Sequence, residues 1–279
     1  MYILKDFISN ALPYKNIKSN IYRNVNNKAT LEVKSSNGIP YGTIAIFIIL
    51  YIITAIVNQK SRRVAVGKKF NRFMKNCGYN PTGGVFGNIG RFKEQWQRIL
   101  ATGFTFIYDG KEITIRIIQP TAEYDGYLEI DEESYKYILK NTIYVDDEVI
   151  KKLKYGKYGC LTLNAYFWVS LRKYSLHKFT NLKYEDLHNQ IGSGIKDIAV
   201  FKAKLKQAFM TLATILKDDG YCMNLGENAL NLIDFTIKEA KAKIQNFQKF
   251  LKSFTINGKY KFSITFHKDS LFLSPQIFS

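Results

Sequence analysis

Basic side chains are concentrated in one stretch of the chain, residues 60–100, which holds ten Lys and Arg residues against a single acid, Glu94. Such cations neutralise phosphates, and Arg and Gln side chains also hydrogen-bond the edges of bases. A surface that is only solvated normally mixes both charge signs, whereas here one sign prevails. The stretch is therefore predicted to contact nucleic acid. Its cations are Lys60, Arg62, Arg63, Lys68, Lys69, Arg72, Lys75, Arg91, Lys93 and Arg98.

Residues suited to catalysis or metal binding form no recognisable set. The three histidines, His177, His188 and His267, lie at no metal-ligand spacing from one another or from a cysteine. The sequence has no His-hydrophobe-His pair of the kind that holds a metal in DNA-nicking enzymes, and its nineteen tyrosines single out no nucleophile. We therefore expect a protein that binds without being an enzyme and that uses no cofactor or metal.

Apolar residues within the basic stretch recur at helical spacing in two segments separated by a Gly-rich turn, PTGGVFGNIG. Asn88 is predicted to cap the second helix. The turn lacks the Gly-Lys-Ser/Thr ending of a nucleotide-binding loop. Two helices joined in this way are typical of a helix-turn-helix, whose second helix enters the major groove. The apolar sets are Phe70, Phe73, Met74 and Cys77, and Phe92, Trp96, Ile99 and Leu100.

The second of these helices carries the residues predicted to contact base edges, namely Arg91, Gln95 and Arg98. The other cations are predicted to hold phosphates and to orient the protein on the duplex. These phosphate-binding candidates are Arg62, Arg63, Lys68, Lys69, Arg72, Lys75 and Lys93.

Two further elements flank the helix pair. Residues 44–57 are the most hydrophobic run of the chain but fall short of the ~18–20 residues that a membrane-spanning helix needs, so they predict a buried core helix. After the helix pair, Phe104–Tyr108 and Glu112–Ile118 predict two strands joined by Asp-Gly, a strong hairpin signal. This hairpin would form the wing of a winged helix, with Lys111 and Arg116 available to phosphates.

The second half of the chain repeats this order of elements. An apolar helix within GCLTLNAYFWVSLRKYSL precedes a short helix in NLKYEDLHNQIG and a basic helix in residues 197–216. Residues 233–254 are a rival for the second recognition helix, and the sequence leaves that choice open. The final strands, around Lys268-Asp269, predict a second wing. Candidate DNA contacts of the basic helix are Lys202, Lys204, Lys206 and Gln207.

Composition agrees with a nucleic-acid partner. The 279 residues carry a formal net charge of +18, which favours a polyanion. Residues 1–130 hold 18 basic and 8 acidic residues, residues 131–150 hold 2 and 6, and residues 151–279 hold 21 and 9. Two basic lobes around an acidic bridge fit two DNA-binding modules better than one membrane-facing patch. Three scattered cysteines predict a reducing compartment, the cytoplasm.

Several of these segments together resemble the plasmid-encoded RepA replication initiators. The resemblance rests on IPYGT at residues 39–43, KSRRVAVGKKFNRFMKNCGYNPTGG, GNIGRFKEQWQRIL, YEDLHNQIGS and the closing LFLSP. It implies a helix-rich α+β fold with two tandem winged-helix domains, which we assign to residues 39–130 and 131–279. Residues 1–38 are predicted to be an arm or linker.

The resemblance also implies a function. A RepA-like initiator would bind direct repeats in double-stranded plasmid origin DNA, help to open the duplex and recruit the host initiator and helicase. It would also form a homodimer and need no membrane. The alternatives are a winged-helix transcriptional regulator and a basic protein that binds membranes or RNA.

Overall fold

The computed structural model describes residues 1–26, 29–119, 124–155, 159–175, 180–218, 223–224, 254–256, 262–266 and 270–275. The described residues form two compact units. Unit 1 comprises Met1–Asp147 and Asn189–Gly194, and unit 2 comprises Glu148–His188 and the described residues from Ile195 onward. The mixture of helices and strands confirms the predicted α+β class.

Unit 1 contains five helices and eight strands in its described part. In chain order they are β1 (Tyr2–Leu4), α1 (Lys5–Ser9), β2 (Ile21–Val25), β3 (Thr30–Ser35), α2 (Gly42–Gln59), β4 (Arg63–Ala65), α3 (Phe70–Asn76), α4 (Asn88–Leu100), β5 (Thr102–Tyr108), β6 (Lys111–Ile115), β7 (Tyr127–Glu129), α5 (Glu132–Asn141) and β8 (Thr142–Tyr144).

Helix α2 is the hydrophobic centre of unit 1 and confirms the predicted core helix. It is apolar on nearly every side, and a helix with that pattern must be surrounded by protein or lipid. Its length of 18 residues and mean hydropathy of 2.0 would suffice to cross a membrane, but 61% of it is buried inside the unit. Helices α4 and α5 and strands β1 and β4 pack around it.

Residues 1–38 differ from the predicted arm or linker. Strand β3 lies inside a four-stranded antiparallel sheet of order β2-β3-β5-β6, where it pairs with β2 on one side and β5 on the other. Leu31 and Val33 on β3 are fully buried, as is Leu4 on β1, and Phe7 packs against Phe104 with ring centroids 5.1 Å apart. The N-terminal segment is therefore part of the core.

The predicted hairpin is confirmed, and it belongs to this larger sheet. Strands β5 and β6 pair from Phe104 with Ile115 to Tyr108 with Lys111. Asp109 and Gly110 both have positive φ, 48° and 76°, the geometry of the two-residue turns that match strand twist. Strand β6 is shorter than predicted, because Ile117 and Ile118 continue into the core beyond the last strand pair.

Unit 2 repeats the element order of unit 1. Its described elements are α6 (Asp147–Tyr155), α7 (Cys160–Ser175), β9 (Thr180–Lys183), α8 (Tyr184–Ile191), α9 (Ile198–Asp218), β10 (Met223–Asn224), β11 (Phe254–Ile256), β12 (Phe262–Phe266) and β13 (Ser270–Pro275). The first residue of α6 and the last three residues of α8 are assigned to unit 1. In both units an apolar helix, a short strand, a short helix and a longer amphipathic helix precede antiparallel strands.

The sheet of unit 2 has the order β10-β11-β12-β13-β9, with each neighbouring pair antiparallel. Strands β12 and β13 confirm the predicted final pair of strands, while Lys268-Asp269 lies outside the described residues. The predicted helix at residues 233–254 also lies outside them, except for its last residue, Phe254, which begins strand β11.

A buried acid links the N-terminal segment to the sheet of unit 1. Asp6 is 5% exposed and accepts hydrogen bonds from the hydroxyls of Tyr108 and Tyr137. Burial raises the pKa of Asp6 above its usual value, although the two tyrosine hydrogen bonds act in the opposite direction. Burial and the neighbouring Asp6 carboxylate also raise the pKa of both tyrosines.

The raised pKa of Asp6 predicts how stability changes with pH. The folded state binds the Asp6 proton more tightly than the unfolded state, so this contribution to stability is present below pH ~4 and is lost as pH rises through the raised pKa. We expect Asp6→Asn to remove up to about 1.4 kcal/mol per pH unit of that slope. Urea unfolding between about pH 4 and pH 7 measures it.

The control for this prediction is Glu133→Gln, which removes an exposed carboxylate from α5 of the same unit. It should keep the wild-type slope. An Asp6→Asn variant with an unchanged slope would show that Asp6 binds its proton equally in both states.

Candidate nucleic-acid interface

Helices α3 and α4 pack through the apolar faces that the sequence predicted. Phe73 contacts Trp96 with ring centroids 5.0 Å apart and Phe92 at 5.5 Å. Phe70 lies 5.7 Å from Phe92, and Tyr124 stacks on Phe73 at 6.0 Å. This aromatic cluster fixes the two helices relative to each other and leaves their charged faces toward solvent.

The turn between α3 and α4 differs from the prediction in its cap. Gly87, which has no side chain that could cap the helix, occupies the N-cap position of α4, and Asn88 is the first helical residue. The Asn88 backbone N–H donates to the Thr82 hydroxyl at 3.0 Å, and its side-chain amide donates to the Asn80 carbonyl at 3.3 Å. Asn88 therefore stabilises the turn instead of capping the helix.

The outward face of α4 is formed by Gly90, Lys93, Glu94 and Gln97, all exposed and opposite the buried Phe92 side. Gln97 was missing from the sequence-predicted contacts. Its position four residues after Lys93 places it on the same face of a helix and could have identified it. Arg91 is also exposed, at the edge of this face.

Gln95 was predicted to contact bases, and the structure corrects this prediction. The side chain is 3% exposed, and its Oε1 accepts a hydrogen bond from the Tyr41 backbone N–H at 2.9 Å. Gln95 lies three residues after Phe92 and four before Ile99, which is the spacing of the buried face. The Gln95 side chain thus binds the backbone N–H of Tyr41, just before α2, and is not accessible to DNA.

Arg98 is likewise engaged within unit 1, contrary to its predicted role. Its Nη1 donates to the Ile39 carbonyl at 2.9 Å, and its Nη2 lies 3.0 Å from Glu94 Oε1. The guanidinium covers the Tyr41 ring at 5.2 Å, and the side chain is 13% exposed. Gly38 has a φ of +83°, a backbone conformation that favours glycine, and a Cβ there would lie 2.6 Å from Nη1 and displace the guanidinium. Arg98 orients α4 against the start of α2.

The predicted phosphate contacts fall into two groups. Arg62 pairs with Glu132 at 3.0 Å, and Arg63 pairs with Asp125 at 3.3 Å and Glu129 at 3.8 Å. A backbone N–H and then Arg63 lower the pKa of Asp125, whereas Lys136 and then Arg62 lower that of Glu132. The charges of these two arginines are thus largely balanced by their neighbours.

The second group comprises exposed cations with no acidic partner within the described ranges. Arg72 and Lys75 lie one turn apart on α3, and Lys93 lies on α4 with its Nζ 6.0 Å from the centroid of the Phe70 ring. Because no carboxylate of the described residues pairs with them, these cations are the better phosphate ligands. We call this group the unpaired cations: Lys68, Lys69, Arg72, Lys75, Arg91 and Lys93.

An open cleft of about 610 Å³ lies at the C-terminal end of α4. Gln97, Lys34 and Arg116 line it, together with polar residues near β2 and β3. Arg116 is exposed, so the predicted phosphate contact at this position has access. Lys111 is exposed beside the hairpin turn, at the opposite end of β6 from Arg116.

In unit 2 the apolar stripe predicted for the basic helix is confirmed. Phe201, Leu205, Phe209 and Leu212 of α9 are all fully buried, and Phe201 contacts His188 of α8 with ring centroids 4.9 Å apart. The candidate DNA contacts divide by exposure. Lys204 and Gln207 are exposed, whereas Lys202 and Lys206 are half-buried, with Lys202 Nζ 4.9 Å from the centroid of the Tyr184 ring.

Comparison with known proteins decides the family. The family described as plasmid-encoded RepA protein matches residues 39–185, more than half of the chain. The chain belongs to this family of plasmid replication initiators. The matched residues begin at Ile39, whose carbonyl accepts the hydrogen bond from Arg98, and run through α4 and the hairpin to the start of α8. No curated protein shows significant sequence similarity to this RepA-family chain.

Two solved structures resemble nearly the whole RepA-family chain in fold. A crystal structure of domains 2 and 3 of RctB matches with a TM-score of 0.51 and 12% identity, covering 98% of this chain and 97% of that one. A selenomethionine derivative of the same two RctB domains gives the same TM-score and identity, with 96% and 95% covered. At this identity the similarity concerns the fold alone.

Proposed function

We propose that this initiator binds direct repeats in double-stranded plasmid origin DNA, with α3 and α4 as a helix-turn-helix and α4 in the major groove. The observation that carries this proposal is the contrast between the unpaired cations around both helices and the ion-paired Arg62 and Arg63 nearby. Free cations release counterions when they meet phosphates, whereas cations already paired gain little.

The proposal includes a tandem winged-helix architecture. In unit 1, helices α2, α3 and α4 would be the three helices, and the β5–β6 hairpin would be the wing. In unit 2, α7, α8 and α9 would take the same places, with β12 and β13 as the wing and Lys204 and Gln207 facing DNA. The repeated element order and the fold likeness to a two-domain protein support this reading.

Base recognition would come from the outward face of α4. Gln97 is exposed at the C-terminal end of that face, and glutamine matches the paired donor and acceptor of adenine in the major groove. Arg91 stays a candidate for guanine at the edge of the face, and Lys93 would hold a phosphate. Arg98 and Gln95 would act indirectly by fixing the direction of α4.

Initiation would then follow from binding without chemistry on the DNA. Several copies on adjacent repeats would help to open the duplex and recruit the host initiator and helicase, and a homodimer would form off DNA. The protein would work in the cytoplasm without a cofactor, a metal or a membrane. Among the described residues, no group of three His, Cys, Asp or Glu could hold a metal ion.

Gln97→Ala tests this function directly. We expect it to lower affinity for an origin repeat by about 1–3 kcal/mol and to relax preference at one or two base pairs, because a glutamine–adenine pair is lost. Fluorescence anisotropy with a labelled repeat and single-base variants measures both. The matched control, Gln119→Ala, removes another exposed glutamine of unit 1 outside α3 and α4 and should bind like wild type.

Arg98→Ala should behave in a different way. It removes a hydrogen bond to Ile39 and the ion pair with Glu94, so we expect it to destabilise unit 1 by about 1–3 kcal/mol. Urea unfolding should therefore separate the variants, with Gln97→Ala as stable as wild type. Wild-type affinity and base preference in Gln97→Ala would exclude Gln97 from base recognition.

A further inference from the structure

The turn between α3 and α4 carries an exposed apolar tip, Val85 and Phe86. Their exposed fractions are 92% and 96%, far above the 57% of Ile21, the next most exposed large apolar residue in the described chain. Leaving a phenylalanine in water forgoes roughly 1.5–3 kcal/mol of burial. The Phe86 ring is therefore fully available to a binding partner.

The backbone holds the tip in place. The Gly87 N–H donates to the Gly84 carbonyl at 3.0 Å, and the Ile89 N–H donates to the Thr82 carbonyl at 3.2 Å. A Cβ at Gly87 would lie 2.2 Å from the Thr82 oxygen, so only glycine allows the base of this turn to close. The backbone at Phe86 is thereby fixed beside the first turn of α4.

The small size of the tip indicates which class of partner it can bind. A stable protein interface buries about 1,200–2,000 Å² in total, and membrane binding uses a whole amphipathic helix face. Here one valine and one phenylalanine project among Gly83, Gly84 and Gly90, where an added Cβ would meet no heavy atom within 4 Å. A single ring matches the gap between two unstacked base pairs.

The charge around the tip also indicates a nucleic-acid partner. The chain from Lys60 to Lys93 contains no acidic residue, and the unpaired cations lie on both helices that the turn joins. Bare glycines beside the ring and on the outward face of α4 allow a phosphate backbone to approach closely. Duplex DNA is a polyanion that can also accept an aromatic ring between its base pairs.

We propose that Phe86 inserts as an aromatic wedge between neighbouring base pairs at the edge of the α3–α4 site and unstacks them. This proposal rests on the proposed binding of origin DNA and adds a distortion step to it. The ring replaces one base–base contact, while the unpaired cations hold the flanking phosphates. Unstacking at each bound repeat would lower the cost of opening the duplex nearby.

The test compares wild type with Phe86→Ala on a duplex origin repeat probed with permanganate, which oxidises unstacked thymines. We expect a reactive step with wild-type protein and none with Phe86→Ala, with affinity reduced less than about tenfold because the stacking gain offsets the unstacking cost. Phe86→Tyr should restore reactivity. Val25→Ala, which removes an apolar side chain that is 54% exposed on β2 and lies outside the tip, should leave it unchanged.

A second arm uses a duplex with a mismatch at the reactive step, where unstacking costs less. Wild type should bind it about 5- to 100-fold more tightly than the matched duplex, since base–aromatic stacking then adds affinity, and Phe86→Ala should show no such gain. Circular dichroism melting checks that the variants fold. We expect wild-type melting, because a side chain as exposed as Phe86 contributes little to the core.

The outcomes separate the two proposals. Failure of the wild-type protein to bind any origin repeat would overturn the proposed function. Binding and equal thymine reactivity with and without Phe86 would overturn the wedge alone. If Phe86→Ala instead lost binding to vesicles of phosphatidylglycerol and phosphatidylcholine while its DNA distortion stayed wild-type, the tip would be a membrane contact and the wedge would be excluded.

Discussion

Replacing Lys68, Lys69 and Arg72 together by alanine is expected to weaken binding to every duplex alike and to flatten its salt dependence. The three residues are exposed and have no acidic partner in the described part of the chain. Each cation that neutralises a phosphate contributes about 0.9 to the slope of log K against log salt, so the triple variant should lose about 2.7. The affinity drop between 50 and 200 mM salt should then shrink about 40-fold.

The matched control for this experiment is Arg62→Ala combined with Arg63→Ala, because both arginines are exposed but ion-paired with Glu132, Asp125 and Glu129. We expect its slope to change by less than about 1, since these charges are already compensated. Anisotropy titrations on an origin repeat and on a scrambled duplex, each at several salt concentrations, measure both variants. Equal slopes for triple variant and control would show that local ion pairing does not select the phosphate ligands.

Elements set by local pattern were predictable from sequence. The helical spacing of Phe92, Trp96 and Ile99 fixed the buried side of α4, and Asp109-Gly110 fixed the hairpin turn. These signals depend on residues within a few positions of one another, so no knowledge of distant partners was needed. The RepA resemblance was confirmed for the same reason, because its motifs are contiguous runs.

The base contacts predicted for Gln95 and Arg98 were wrong because a segment distant in the sequence packs against α4. Helical periodicity showed which side of α4 packs on α3, but the segment from Gly38 to Tyr41 covers an adjoining arc of the same helix. That second contact buries Gln95 and engages Arg98, while it leaves Gln97 exposed. Helical periodicity identifies one buried face of a helix. It cannot show how many adjoining positions are buried by segments that are distant in the sequence.

Residues 1–38 were misjudged for a related reason. The segment is rich in Asn and Lys, and only TLEVKS alternates apolar and polar residues. Its burial comes from pairing with β5, about seventy residues further along the chain, and from the contact of β1 with β8. Such pairings are long-range, so composition near the N-terminus carried no signal of them.

This role of the N-terminal segment predicts that a chain starting at residue 39 will not fold unit 1. The truncation removes β3 from the interior of the sheet and leaves one edge of β5 unpaired. It also removes Leu4, Phe7, Leu31 and Val33 from the core. Truncating one such side chain to alanine costs about 2–5 kcal/mol, and a whole domain has only about 5–15 kcal/mol of stability. We expect loss of the cooperative melting transition of unit 1 by circular dichroism, with loss of DNA binding.

A pair of point variants keeps the prediction independent of so large a deletion. Leu31→Ala should destabilise unit 1 by about 2–5 kcal/mol, because Leu31 is fully buried on β3. Ile21→Ala, on the neighbouring β2, should change stability by less than about 1 kcal/mol, because that side chain is 57% exposed. Urea unfolding of both variants measures the difference. The prediction would be wrong if the chain starting at residue 39 melted like wild type and Leu31→Ala had the same free energy of unfolding as Ile21→Ala. Residues 1–38 would then be a detachable arm, and Arg98 and α2 would orient α4 without it.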